Sequence, residues 1–233
     1  VNTSNPGVYR ITYDVINSQG IEATQGTRTV TVRDITAPIL TLLGESNATH
    51  EAAAEYLDPG ATAFDGADGN LTDSILVTGK IDVQVKGTQT LTYSVSDQAG
   101  NAAPSLIRSV NVQDMTAPVI ILSGDANATH EAMIPYVDPG ATAFDSFDGD
   151  LTANIVIGGD EVNASSPGTY QISYDATDEE GNLGRGIRSV TVLDTTPPAL
   201  SLQGSSTVNL EAGTPFVEPG AIAIDSLDGD LSE

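Results

Sequence analysis

The sequence predicts an all-β protein made of antiparallel β-sandwiches in tandem, with about seven strands to a module. Two observations carry this reading. The segment DPGATAFD at Asp58 to Asp65 returns unchanged at Asp138 to Asp145, and again as EPGAIAID at Glu218 to Asp225, so the chain repeats every 80 residues. Between these landmarks lie short apolar runs bounded by Gly, Pro, Asn and Asp, with turn signals every ~8 to 12 residues and no useful stretch of helical period.

The period divides the chain. Asp34, Asp114 and Asp194 recur before Thr-Ala-Pro, Thr-Ala-Pro and Thr-Pro-Pro, or the equivalent Ile-Thr-Ala-Pro at the first, and Glu51, Glu131 and Glu211 recur in register. Residues 1–33 read as the end of one module, 34–113 and 114–193 as complete modules, and 194–233 as the beginning of another. The partial copies lead us to expect a piece of a longer protein. Tandem repetition also favours a spacer or adhesive array over an enzyme, because catalytic sites are seldom built in serial copies.

The second complete copy justifies each element in turn. Val119 to Leu122 follows Pro118 as a first strand, then come Asn127 to Met133, Ala141 to Phe144, Asn154 to Ile157 and Glu161 to Ala164. The clearest alternation is Tyr170 to Ala176, with Tyr170, Ile172, Tyr174 and Ala176 on one face. Leu91, Tyr93 and Val95 repeat it, as do Tyr9, Ile11, Tyr13 and Val15. A last strand, Ser189 to Leu193, turns Val190 and Val192 inward. Turns fall at Gly124-Asp125, Asp138-Pro139-Gly140, Asp148-Gly149-Asp150, Ser166-Pro167-Gly168 and Glu180-Gly181-Asn182. Tyr170 stands two residues before a core position, where a tyrosine corner ties turn to strand, which favours the immunoglobulin-like (Ig-like) version of the sandwich. Tyr9 matches it; Gln89 takes its place in the first complete copy.

Composition narrows the partners. With 32 acidic and 8 basic residues the formal charge is −24, which repels nucleic acid and anionic membranes and invites divalent cations. There is no cysteine, so no disulfide framework, and no run of ~18 apolar residues for membrane insertion. Such cysteine-free, acidic repeats suit an extracellular or cell-surface protein secreted by a bacterium.

The order Asp-Thr-Thr-Pro-Pro at 194–198, Glu-Pro-Gly-Ala at 218–221 with Asp-Gly-Asp-Leu at 228–231, Pro-Gly-Thr-Tyr at 167–170 and Arg-Ser-Val-Thr-Val at 188–192 resembles the bacterial Ig-like domain of the pesticidal-crystal-protein type. It is similar, more loosely, to hyalin repeats. The resemblance spans the whole chain and implies spacer or adhesion modules. Gln89 and Asn70 depart from the pattern in one copy, Asn17 and Ile21 in another.

The chemistry these residues suggest is calcium, a hard cation that takes about six to eight oxygens from a short loop and distant segments. The loop Asp145 to Asp150 offers Asp145, Asp148 and Asp150, with Gly149 for the bend; Asp65, Asp68 and Asn70 repeat it, as do Asp225, Asp228 and Asp230. The linker acids Asp114 and Asp194 and the pairs Asp97 with Asn101 and Asp178 with Asn182 recur as well. If seven strands alternate in direction, the Asp-Gly-Asp loop shares a pole with the linker acid that follows its module, and the Asp97 or Asp178 loop lies at the opposite pole. The expectation is then that Asp65, Asp68, Asn70 and Asp114 face Asp178 and Asn182 across a junction and hold Ca²⁺.

Other motifs are structural. His50 and His130 precede Glu51 and Glu131, but Leu210 takes their place in the next copy, which marks a strand face rather than a metal pair. Arg28, Arg108 and Arg188 recur before the last strand and predict an Arg–carboxylate contact across the sheet. No nucleophile elbow, zinc-protease motif or phosphate loop is present. The expected function is a non-enzymatic spacer, stalk or adhesion array whose partners are neighbouring Ig-like modules and a cell-surface or glycan ligand. The alternative is a set of carbohydrate-binding accessory modules of a secreted polysaccharide-degrading enzyme or adhesin, disfavoured by the absence of Trp. Residues 1–33 and 194–233 each leave half a core uncovered, so they are expected to be less ordered or to pair between molecules.

Overall fold

The computed structural model describes residues 1–232, which fall into two compact units, Val1–Asp114 and Met115 onward. The architecture is all-β, with several small sheets in the arrangement of tandem Ig-like sandwiches.

The first unit opens with a hairpin, β1 (Gly7–Tyr13) and β2 (Gly26–Val32), paired antiparallel from Gly7↔Val32 to Tyr13↔Gly26. A sandwich follows. One sheet has the order β3-β5-β6, from β3 (Ile39–Leu42), β5 (Ala61–Asp65) and the two-residue β6 (Gly69–Asn70). The other has the order β4-β9-β8-β7, from β4 (Asn47–Glu51), β7 (Leu76–Thr78), β8 (Gly87–Ser94) and β9 (Leu106–Gln113).

The second unit repeats this. β10 (Val119–Leu122), β12 (Ala141–Asp145) and β13 (Gly149–Asp150) form one sheet, and β11 (Asn127–Glu131), β14 (Val156–Gly159), β15 (Gly168–Thr177) and β16 (Leu183–Leu193) the other. The unit then continues as a single three-stranded sheet, β17 (Ala199–Leu202), β18 (Ala221–Asp225) and β19 (Gly229–Asp230).

Each complete sandwich has a small core where the alternation placed it. Ile172, Tyr174 and Val190 are buried against Ile120, Leu122, Tyr136 and Val162; Leu91 and Tyr93 are buried against Leu40, Leu42 and Tyr56. Two features differ from the sequence reading. Glu161 to Ala164 is a loop, and the two-residue β13 supplies the seventh strand. β4 and β11 pair in parallel with β9 and β16, at Asn47↔Ser109 and Asn127↔Ser189, so the first two strands of a repeat run in the same direction and cross from one sheet to the other.

The tyrosine corner is present: the Tyr170 hydroxyl donates to the carbonyls of Ser166 at 2.8 Å and Asn163 at 3.1 Å, and Tyr9 donates to Asn5 at 2.8 Å. Gln89 does the same work by another route, its amide donating to the Asp82 and Val85 carbonyls at 2.8 Å while its oxygen accepts from the Asp82 N–H. His130 Nε2 lies 2.7 Å from the Ile134 carbonyl and its ring meets Tyr136 edge-on, a structural role.

The recurrent arginines find carboxylates, but through the sandwich rather than across one sheet. Arg188 Nη1 pairs with Asp138, in the Asp-Pro-Gly turn before β12, and Nη2 donates to the carbonyls of Ser123 and Gly140. The Tyr174 hydroxyl donates to the same Asp138 at 2.6 Å, under the guanidinium. Arg108, Asp58 and Tyr93 repeat the arrangement.

Candidate cation-binding pole

At the end of each repeat where β3 begins and β5 and β8 finish, acidic side chains converge. Asp65, the last residue of β5, is 2% exposed because its Oδ1 turns back to accept the N–H groups of Ala67 at 2.7 Å and Asp68 at 3.1 Å, tightening the loop into β6. Asp34 precedes β3 and accepts the Thr36 N–H and hydroxyl through Oδ1. Asp68 accepts the Gln98 N–H at 2.8 Å, which ties the β5–β6 loop to the β8–β9 loop. One carboxylate oxygen from each of Asp34, Asp65 and Asp68 lies within 4.8 Å of the others. Among the described residues, Asp34 Oδ2 is buried without a hydrogen-bond partner. Three carboxylates this close repel one another, and a cation or a proton relieves that repulsion.

The β8–β9 loop completes the pole. Asp97 accepts the Asn101 N–H at 2.7 Å and its side-chain amide at 2.6 Å, and that amide also reaches the Asp34 carbonyl at 3.4 Å. Burial pushes the Asp97 carboxyl up, but the bonds from Asn101 and Gly100 outweigh it and hold the group below the usual carboxylate range, so it is ionised at neutral pH.

The same loops recur in the second unit. Asp145 is 1% exposed, with Oδ1 bonded to the N–H groups of Phe147 and Asp148 and Oδ2 buried without a partner among the described residues. An oxygen of Asp178 lies within 4.8 Å of Asp145, and Asp148 accepts the Glu179 N–H at 2.9 Å. Asn182 bonds Asp178 through its N–H and amide, both at 2.7 Å. Further on, Asp194, Asp225 and Asp228 bring oxygens within 4.8 Å of one another, as Asp34, Asp65 and Asp68 do.

The strand-count geometry is corrected on one point. The Asp-Gly-Asp loop and the Asp97 or Asp178 loop share a pole, and the linker acid beside them is the one that precedes the repeat, Asp34 or Asp194. The parity fails because β3 and β4 run the same way instead of reversing. Asp114 ends the first unit and stands, in sequence, to the second complete repeat as Asp34 stands to the first. Asn70 and Asp150 are not among the converging carboxylates: each accepts the N–H two residues on, from Thr72 at 3.0 Å and Thr152 at 2.9 Å, and so starts the one-turn 3₁₀ helix at Thr72–Ser74 or Thr152–Asn154. Asp34 and Glu180 were missing from the expected ligand set. The recurrence of Asp34 with Asp114 and Asp194 is the signal that finds the first; Glu180, which comes within 4.8 Å of Asp148, reads in sequence only as part of a turn.

An open groove of about 610 Å³, lined by Met133, Pro135, Tyr136, Glu161, Asn163 and Ser165, lies at the other end of the second complete repeat. Among the described residues no helix is long and apolar enough to cross a membrane.

Comparison with known proteins follows the repeat. The chain is 27% identical over 240 residues to the pesticidal crystal protein Cry22Aa of Bacillus thuringiensis, covering 100% of this chain and 32% of that protein. It is 29% identical over 238 residues to hyalin of Strongylocentrotus purpuratus, covering 92% of this chain and 19% of that one. The chain thus spans a third or less of the length of these relatives. A solved structure of the M60 catalytic domain with the CBM51-1 and CBM51-2 domains of Clostridium perfringens ZmpB aligns with a TM-score of 0.46 at 14% identity, over 88% of this chain and 36% of that one. The family model for the Ig-like domain of bacterial surface proteins matches residues 1–32, 40–112 and 120–192, segments that hold the hairpin and both sandwiches. With the cores of both complete sandwiches inside matches that cover more than half of its length, the chain belongs to the Ig-like domain family of bacterial surface proteins.

Proposed function

We propose that the chain is a non-enzymatic, extracellular spacer in a bacterial surface protein, with modules at 34–113 and 114–193, and that Ca²⁺ bound at the acidic poles stiffens it. The observation that carries this reading is the convergence of Asp34, from the linker, with Asp65 and Asp68, from the repeat that the linker enters, around a buried Asp34 oxygen that no protein donor satisfies. All the candidate ligands are oxygens, the donor set that a hard divalent cation takes. A cation there joins the linker to the loop and replaces repulsion with attraction, so the hinge loses freedom. The proposed ligand field is Asp34, Asp65 and Asp68 with Asp97 and Asn101 beside them; Asp145, Asp148, Asp178 and Asn182, with Asp114 as the linker acid in sequence; and Asp194, Asp225 and Asp228.

Calorimetric titration with CaCl₂ tests it. Sites of this kind in extracellular modules bind at about 10⁻⁴ to 10⁻³ M. Ca²⁺ at 100 times the dissociation constant then adds about 2.7 kcal/mol of stability. Asp65→Asn lowers the stoichiometry by one site. Absence of heat and of any rise in melting temperature at millimolar Ca²⁺ refutes the metal; the spacer reading fails separately if the chain alone turns over a polysaccharide.

A further inference from the structure

One surface turn carries a chemistry that neither the sandwich nor the acidic poles use. Between the end of β14 at Gly159 and the start of β15 at Gly168, Glu161, Asn163 and Ser165 are exposed while Val162 and Ala164 are half-buried. The alternation turns every second side chain outward, and Glu161, Asn163 and Ser165 line the open groove together, with Met133 and Tyr136 beside them. The backbone beneath is fastened on both sides. The Met133 N–H donates to the Ala164 carbonyl at 2.8 Å, and the Ser166 N–H and the Tyr170 hydroxyl each donate to the Asn163 carbonyl at 3.1 Å.

The side chains of this turn are bonded to each other: Asn163 Oδ1 accepts the Ser165 N–H at 3.1 Å and the Ser165 hydroxyl at 2.7 Å. The turn alone does not require them. In the first complete repeat Asp82 Oδ1 accepts the Gln84 N–H at 3.0 Å, so a carboxylate closes the same turn with neither a carboxamide nitrogen nor a hydroxyl. In the turn before β1 the pair returns, with the Ser4 N–H on Asn2 Oδ1 at 3.0 Å. Asn-X-Ser on a surface loop of a secreted protein is the acceptor pattern for N-linked saccharides.

We propose that Asn163 is the acceptor for an N-linked oligosaccharide, delivered by a transferase from a polyprenyl-diphosphate-linked donor. Asn163 Nδ2 bonds to the anomeric carbon of the first sugar as the bond from that carbon to the diphosphate breaks. The diphosphate leaves with the electron pair, and the amide proton passes to a base on the transferase. With Oδ1 held by Ser165, Nδ2 is the atom left to react. Glu161, two residues earlier and also exposed, offers a cationic transferase groove a charge to read.

The fold selects this triplet over the others. Asn47 and Asn127 begin the same pattern, but they lie in β4 and β11, paired to β9 and β16, where a transferase would have to break the sheet. Asn70 is committed to its 3₁₀ turn through the Thr72 N–H, and the Thr72 hydroxyl oxygen accepts the Ala63 N–H at 3.2 Å.

Peptide mass mapping tests the acceptor after the folded chain is incubated with a bacterial oligosaccharyltransferase and an undecaprenyl-diphosphate-linked oligosaccharide. The expected result is one oligosaccharide on the peptide that holds Asn163, lost in Ser165→Ala and kept in Ser165→Thr. Ser165→Ala retains the backbone bond to Asn163 Oδ1, as Gln84 does to Asp82, so its melting temperature stays that of the parent. A free peptide of residues 158–168, modified in parallel, shows the enzyme to be active. The proposal is overturned if Asn163 of the folded chain stays bare, if Ser165→Ala is modified as well as the parent, or if Asn127 takes the saccharide in its place.

Discussion

Arg188 and Asp138 form an ion pair inside the second complete repeat, with the arginine side chain 1% and the aspartate 23% exposed. The pair joins β16 to the turn that leads into β12, and the same guanidinium holds the carbonyls of Ser123, at the end of β10, and Asp125, where the chain crosses between sheets. A module without disulfides, and with a core of few large side chains, thereby fastens its crossover strand, its Asp-Pro-Gly turn and its last strand with one residue. Removing Asp138 leaves a buried cation with no counter-charge, which costs about 3–5 kcal/mol. Urea unfolding of Asp138→Ala, followed by amide exchange of β15 and β16, should show a loss of this size. Arg188→Lys does not rescue the fold, because an ammonium cannot span three carbonyls and a carboxylate at once.

The two tyrosines of this lock resist ionisation. Burial, then the hydrogen bond to Asp138 and its charge, push the Tyr174 hydroxyl far above the ordinary tyrosine range; burial and Asp58 do the same for Tyr93. The neutral form is the one the fold favours, so this contribution is complete below the unfolded tyrosine value and is lost only as pH rises through the folded one. Tyr93 and Tyr174 should stay dark to ultraviolet titration until alkaline unfolding, when both appear together, and Tyr93→Phe and Tyr174→Phe should each remove half of that late signal.

Glu131 gives the acid limb. Hydroxyl bonds from Thr195 and Thr196, with their N–H groups, hold its carboxyl down to about 2 from an ordinary 4.5. A depressed value means stability that is whole above the unfolded value and disappears as pH falls towards about 2. The clamp joins the end of β11 to the linker after β16. Amides of Thr195 and Thr196 should therefore show larger protection factors, each taken against the intrinsic exchange rate at that pH, at pH 7 than at pH 3, and Glu131→Gln should flatten that dependence.

What was legible in the sequence follows from chemistry that is local. Strand positions such as Tyr170, Ile172 and Tyr174 were visible because a period of two is set by neighbouring residues, and the tyrosine corner because its partners lie four and seven residues away. The pole was misread for a reason no local pattern records: Asn127 to Glu131 reads alike whether it pairs parallel or antiparallel, and only its partner β16, about 60 residues on, decides. The recurrent arginines announced a carboxylate contact, but which carboxylate was hidden likewise, since Arg188 and Asp138 are 50 residues apart. Among the acids, spacing showed that Asp145 and Asp148 share a loop but not that Asp150 is spent on starting the 3₁₀ turn, where bonds from Thr152 hold its carboxyl below the usual range.

Gly159 tests how the edge strand stops. It ends β14 at φ +85°, and a Cβ there would lie 2.3 Å from the Gln171 carbonyl oxygen, closer than any side-chain carbon comes to a backbone oxygen. The bend lets Asp160 donate its N–H to that same oxygen at 2.7 Å and accept the Gln171 N–H through Oδ2 at 2.8 Å, so β14 peels away while β15 continues. Gly79 does the same against Thr90 in the first complete repeat. Gly159→Ala meets both a left-handed backbone and an occupied position, so it should destabilise the repeat by about 2 kcal/mol or more. Gly60→Ala, with a similar φ of +80° and nothing within 4 Å of its Cβ, bears only the backbone cost and should lose about 1 kcal/mol. Equal losses in urea unfolding would mean that β15 shifts to make room, and that the close approach is not what ends the strand.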